Sequence, residues 1–277
     1  MNINTLATKV KPVNETHSIK EAVISLFLAN QILKPERFNE LIKTSLKEKF
    51  QLFEPIIQFQ FEVKNPLATS ATTPKPEVLN NIGFKFTSFY NGAPATVLQG
   101  QNDNLNIRTF ISYHTLKYTR WDRFISEYMA IVNSILEFSP EIFLSAISLH
   151  YIDQFFWIGE GDIDLSLFFN KDAHSIPNDF FNAKVGQYSI VTERQINETR
   201  KYLDRLEIVV DNNQIKPSLT ISHNVTQPLS DVISLKEFVN TTEFMDILDK
   251  AHAHNKSFLR DLLTEEIRNL INLQPLL

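Results

Sequence analysis

Seven histidines are the residues of this chain best able to bind a metal or move a proton near neutral pH. His252 and His254 stand two apart in a stretch of helical periodicity, roughly 200° around the axis. They therefore face away from each other and cannot chelate as a pair four residues apart would. One is expected at the edge of the core and the other in water. His150 and Asp153 are three apart in a strand-like run, so their side chains leave on opposite faces. They are candidate ligand-binding residues, but not a dyad. His223 alternates with Leu219, Ile221 and Val225 and reads as a packed core histidine. Glu160-Gly161-Asp162-Ile163-Asp164 gathers three carboxylates around a glycine. Joined by Asp153, these acids are the set that a divalent-cation hydrolase or nuclease would use. The spacing does not match a twelve-residue calcium loop, however, and a solvated turn is the simpler reading. Arg108, Arg120 and Arg123 form the third candidate, an anion-binding patch beside Tyr118 and Trp121 that would take a nucleotide or a nucleic-acid strand. The chain contains no GxSxG, HExxH, GxGxxG or GxxxxGK[ST].

Composition narrows the classes further. The 277 residues include no cysteine, only 6 glycines and 22 phenylalanines, with 27 Lys+Arg against 32 Asp+Glu. Without cysteine there are no disulfides, thiolate zinc sites, iron–sulfur clusters or thiol nucleophiles. Glycine is far scarcer than the usual ~7%, which disfavours folds that bring backbone close to phosphate. A net charge of −5 does not supply the basic field that nucleic acid demands. Met1 to Val10 lacks a cationic start and apolar core, and no segment reaches the ~20 apolar residues of a membrane span. The expectation is a cytoplasmic protein without a cofactor. The Asn-x-Ser/Thr sequons at Asn14, Asn197, Asn224 and Asn255 then carry no meaning.

The elements that would position these residues follow from periodicity. Ser18 to Leu28 is apolar on both faces and belongs inside a sheet. Pro35 opens a helix reaching about Lys49. Ile56 to Val63 alternates strictly, as a half-solvated strand does. Asn65 to Lys75, small and polar with two prolines, reads as a mobile loop. Strands at Ile82 to Tyr90, Ala95 to Gln101 and Leu105 to Ser112 form a meander, its first turn at Asn91-Gly92, where both residues accept positive φ. Asn102-Asp103-Asn104 makes the second turn. Trp121 to Phe138 repeats apolar residues at helical spacing and is followed by Pro140. Leu144 to Trp157 is a long aromatic strand suited to the middle of a sheet. Strands near Gln187 to Ile196, Tyr202 to Asp211 and Ser218 to Val225 precede one long helix, Thr242 to Leu273, with an apolar stripe from Phe244 through Leu248 and Asn255 to Leu270. This order lacks repeated βα alternation. It predicts an α+β protein, mainly antiparallel sheet in two meander-plus-helix halves (1–158 and 159–277) packed as one unit, with helices on one face.

Four short motifs resemble a sporadically distributed family of uncharacterised bacterial proteins of about this length. They are Glu21-Ala22-Val23, then Tyr118-Thr119-Arg120-Trp121-Asp122-Arg123-Phe124, then Leu149-His150-Tyr151-Ile152-Asp153, and lastly Ala251-His252 through Phe258 to Thr264-Glu265. His150 and Asp153 stand where the family's strand motif carries an arginine and an asparagine. The resemblance implies a cytoplasmic bacterial protein of unassigned activity, in the setting of mobile or defence-associated genes.

The resulting expectation is a non-enzymatic binding, sensing or neutralising protein, with a protein partner or second copy on the apolar stripe of the terminal helix. The carboxylate-based enzyme and the arginine-based nucleic-acid binder are the alternatives.

Overall fold

A computed structural model describes residues 6–32, 34–60, 77–102, 108–138, 141–173, 175–182, 184–195 and 201–273. The Asn65 to Lys75 segment and Asp103-Asn104 lie outside the described residues. Ten strands form one antiparallel sheet: β1 (Val10–Pro12), β2 (Ile19–Leu28), β3 (Leu52–Gln60), β4 (Glu77–Tyr90), β5 (Ala93–Gln101), β6 (Phe110–Thr115), β7 (Phe143–Trp157), β8 (Val185–Gln195), β9 (Lys201–Asp211) and β10 (Ser218–Ser234). Their order is β3-β4-β5-β6-β2-β7-β10-β9-β8, and β1 adds to the end of β7. The helices are α1 (Pro35–Ser45), α2 (Trp121–Phe138), α3 (Leu165–Phe168), α4 (Leu235–Phe238), α5 (Thr242–Leu262) and α6 (Glu265–Leu270), with a 3-10 turn at Asn178–Asn182. The protein is thus a mixed α+β molecule dominated by antiparallel sheet.

β7, 15 residues long, pairs with β2 on one edge and β10 on the other. The 158/159 boundary falls just past it, and a single sheet runs through both segments. Strand residues that pack under the helices alternate along each strand, as a half-buried pleat requires. Ile24, Tyr113, Leu98 and Phe86 lie side by side on β2, β6, β5 and β4, and Ile24 also faces Leu149 of β7. They join Phe124, Tyr128, Phe244 and Leu248 in one core. Phe155, Ile208, Leu219 and Ile221 form a second core with Phe168, Leu259, Leu262 and Ile267. α5 spans both.

Local chemistry explains the connections. Tyr90 and Ala93 pair across a two-residue turn, where Asn91 has φ 51° and Gly92 φ 77°. Those angles make the primed turn that matches strand twist. Pro55 lies in edge strand β3, and Pro94 and Pro228 border register shifts, the places where a missing N–H is tolerated.

Two expectations are corrected. The third meander strand extends beyond Ser112 to Thr115, because β2 and β5 both continue to pair with it there. The terminal helix is not continuous to Leu273. Leu263 is extended, with φ −91° and ψ 146°, and bridges Phe169. Thr264 then caps α6 by accepting from the Ile267 amide, with Glu265 and Glu266 favouring a helix start.

Where β4 and β5 pass each other, a Cβ on Gly83 would collide with the Gly100 carbonyl oxygen, whereas one on Gly92 meets nothing within 4 Å. Gly83→Ala is expected to cost about 1–3 kcal/mol of stability through overpacking. Gly92→Ala should cost about 1 kcal/mol, through its left-handed backbone alone. Urea denaturation of the two variants checks this, and equal losses would contradict it.

Candidate functional site

A polar seam crosses the helix face between the two apolar cores, beneath the middle of α5. Its centre is Asp204 of β9. The ring of His223, on β10, brings Nε2 to 2.5 Å from Asp204 Oδ1, and His254, on α5, brings Nε2 to 3.0 Å from Oδ2. Arg194 of β8 adds an Nε contact to Oδ2 at 2.9 Å. The other nitrogen of His223, Nδ1, lies 2.6 Å from Asn255 Oδ1, and Phe258 stacks on the His223 ring at 4.3 Å. Asp204 and His223 are 4% and 1% exposed. Burial by itself would raise the Asp204 carboxyl, but the hydrogen bonds from His223 and His254 hold it well below the usual carboxylate range. Among the described residues, Asp204, His223 and His254 are the group of three whose ligand atoms come within 4.8 Å of one another.

The seam continues on the other flank of α5. Trp121 stacks on His252 at 4.3 Å and donates its Nε1–H to Asp249 at 2.7 Å. The Tyr151 hydroxyl hydrogen-bonds His252 Nδ1 at 2.9 Å, and burial lowers the His252 pKa to about 4. Two residues along β7, Asp153 accepts from the Ser18 hydroxyl at 2.6 Å, while its Oδ2 has no partner among the described residues. Burial raises the Asp153 pKa to about 6. The expectation that one of His252 and His254 meets water is corrected. Both bond to sheet residues, because a helix lying flat on a sheet presents two flanks to it.

Beside His254 a pocket of about 220 Å³ opens between α5 and strands β7 and β10, with Tyr202 of β9 at one end. Leu149, Val225, Leu248 and Ala251 line it, with Gln227 and Lys250 as polar groups. Lys250 is paired with Asp246 at 2.7 Å.

The opposite face of the sheet, helix-free among the described residues, holds a second arrangement. Ser112, Ser25 and Ser148 stand side by side on β6, β2 and β7, and His114, Val23, His150 and Asn224 form the next row. Ser112 Oγ lies 2.8 Å from His114 Nε2, and His114 Nδ1 donates to Glu21 Oε1 at 2.6 Å. That hydrogen bond lowers the Glu21 pKa. The order hydroxyl, imidazole, carboxylate is that of a nucleophile, a base and its orienting group. Yet β6 pairs on both edges, so the amides around Ser112 are committed to the sheet rather than aimed at an oxyanion.

The residues singled out in the sequence are dispersed. His150 lies on the helix-free face, bonded to Ser222 Oγ at 2.6 Å, with its pKa lowered by burial to about 4. Asp153 lies on the helix face, in the seam. Arg108 precedes β6 and sits over Phe27, whereas Arg120 and Arg123 follow its other end, so the three do not make one patch. Arg123 is paired with Glu127 at 2.8 Å. Asp164 caps α3 through Ser166, Asp162 pairs with Lys184 at 3.1 Å, and Asp153 is four residues back along the strand from Trp157. The four acids do not converge. Asp204, the seam's centre, was not visible in the sequence, because it reads there as one charged residue of an edge-side strand.

No known family model, curated protein or solved structure matches this chain significantly.

Asp153 gives a pH signature. Its folded-state pKa of about 6 exceeds the ordinary aspartate value of 3.8, so the folded chain holds the proton more tightly than the unfolded one. Its contribution is fully favourable below about pH 4 and is lost as pH rises through about 6. Asp153→Asn is therefore expected to be more stable than the parent by about 2–3 kcal/mol at pH 7.5, the gain fading toward pH 4. Urea denaturation at both pH values checks it, and a gain independent of pH would contradict it.

Proposed function

We propose that this protein is a binding protein, a sensor or neutralising partner, that holds a small and largely apolar ligand in the pocket beneath α5. The observation that carries this reading is the pocket itself, with its apolar floor on β7 and β10 and polar groups at His254, Tyr202, Gln227 and Lys250. Mostly apolar walls with few polar groups are the common make-up of small-molecule sites. Other features support binding over catalysis. Ser112 and His114 sit in a strand paired on both edges, and of the acids of the enzyme reading Asp164 serves as a cap and Asp162 as half of an ion pair. The arginines of the nucleic-acid reading are split between the two ends of β6.

A partner docked on the stripe of the terminal helix is not the favoured form of this reading. Phe244, Leu248, Ala251, Leu259 and Leu262 are buried within the chain, and Asp249, Lys250, Ala253 and Asp261 face outward. The setting implied by the family resemblance, mobile or defence-associated genes, suits a receptor for a small signal.

Native mass spectrometry of the protein purified from cells tests the proposal. A small molecule is expected to stay bound to the parent chain and to be lost, or at least tenfold reduced, in Ala251→Leu, which fills part of the pocket. Retention by the variant at parental level would overturn the assignment of this pocket.

A further inference from the structure

We infer that Asp204, His223 and His254 hold a divalent transition-metal ion, with zinc the best match to the donor set. Two imidazole nitrogens and one carboxylate oxygen are the ligands of open zinc sites, which keep a further position for water or a ligand. Their ligand atoms already lie within 4.8 Å of one another, close enough for small side-chain adjustments to bring all three to ~2 Å from one ion.

Proton accounting supplies the second argument. Asn255 Oδ1 is 2.6 Å from His223 Nδ1, and a carboxamide oxygen only accepts, so Nδ1 carries the proton. A neutral imidazole then turns a bare Nε2 lone pair toward Asp204 Oδ1, 2.5 Å away. Two lone pairs do not share that distance without a cation between them, either a second proton or a metal. An amide or carboxylate acceptor on the far nitrogen is also the usual way a metal-binding histidine is held in its tautomer. Asn255 and Phe258 fix the His223 ring from two sides. Asp204 has capacity to spare, since a carboxylate offers about four lone-pair sites and Arg194 uses one on Oδ2. His254 lines the pocket, so an ion held there lies within reach of an oxygen or nitrogen on a pocket ligand. The inference stands apart from the pocket reading, since the ion would be held by the protein alone.

Full-length protein, stripped with a chelator and dialysed, is titrated with Zn²⁺ and with Co²⁺. One equivalent of Zn²⁺ should raise the melting temperature, and Co²⁺ should give the visible d–d bands of a low-coordinate nitrogen–oxygen site. His254→Ala, at a half-buried position, should weaken affinity at least tenfold, while His114→Gln, on the opposite face, should not. Nitrogen-15 shifts of the His223 ring give a reading that needs no variant: Nε2 moves on adding Zn²⁺ if it is a ligand. An imidazolium shift at His223 unchanged by Zn²⁺, or metal affinity equal in His254→Ala, overturns the inference in favour of a proton-bridged ion pair. Ligand retention by chelator-treated protein would leave the pocket reading standing while the metal inference fails on its own titration.

Discussion

The pairing of β7 on both edges is the constraint on which the rest of the molecule depends. β2 and β10 are joined in the sheet order only through it, and every other strand of that order is reached through one of those two, while β1 pairs with β7 itself. This explains the composition of β7, which combines bulky apolar and aromatic residues on the helix face with serine and histidine on the other. Central position demands a complete hydrogen-bond ladder and a side chain packed at nearly every step. The two cores form on either side of the point where Tyr151 and Asp153 interrupt the apolar run.

The seam that crosses there is costly in isolation, since polar groups leave water to form it. Its geometry ties strand register to side-chain chemistry. A one-residue slip of β9 against β10 would turn Asp204 to the helix-free face and leave His223 and His254 facing apolar neighbours. Apolar cores tolerate repacking better than that. The seam therefore acts as a register pin for the second half of the sheet, and the stacking of Phe258 and Trp121 on imidazole rings holds α5 over it from both flanks.

The parts of the fold legible in the sequence are those whose signals are local. Trp121 to Phe138 matches α2 at both ends, because its apolar spacing is regular and a proline follows. Asn91-Gly92 forms the turn that its two residues favour, and the long aromatic strand lies at the centre. The break at Leu263-Thr264 was not legible, since apolar spacing runs on through it and the decisive bridge to Phe169 comes from a distant segment. The seam was hidden for the same reason. His223 reads as core and His254 as one side of a helix, and nothing local marks Asp204. Only the register of three strands and the seating of α5 bring them together. Ser112 and His114 share a face only because the strand runs on past Ser112, and Glu21 comes from another strand.

The place of β2 has a further consequence for how the chain reaches this state. Its two partners are β6 and β7, and the Ser18–Asp153 hydrogen bond at its start joins residues 135 apart. Loop closure over such distances is slow compared with local hairpins. During synthesis β2, with Ala22, Ile24, Leu26 and Leu28 on one side and Val23 and Phe27 on the other, emerges long before either neighbour exists. A strand apolar on both faces with two open edges is prone to pairing with other chains. The central placement that makes β2 inaccessible in the finished protein leaves it exposed to aggregation in the nascent one.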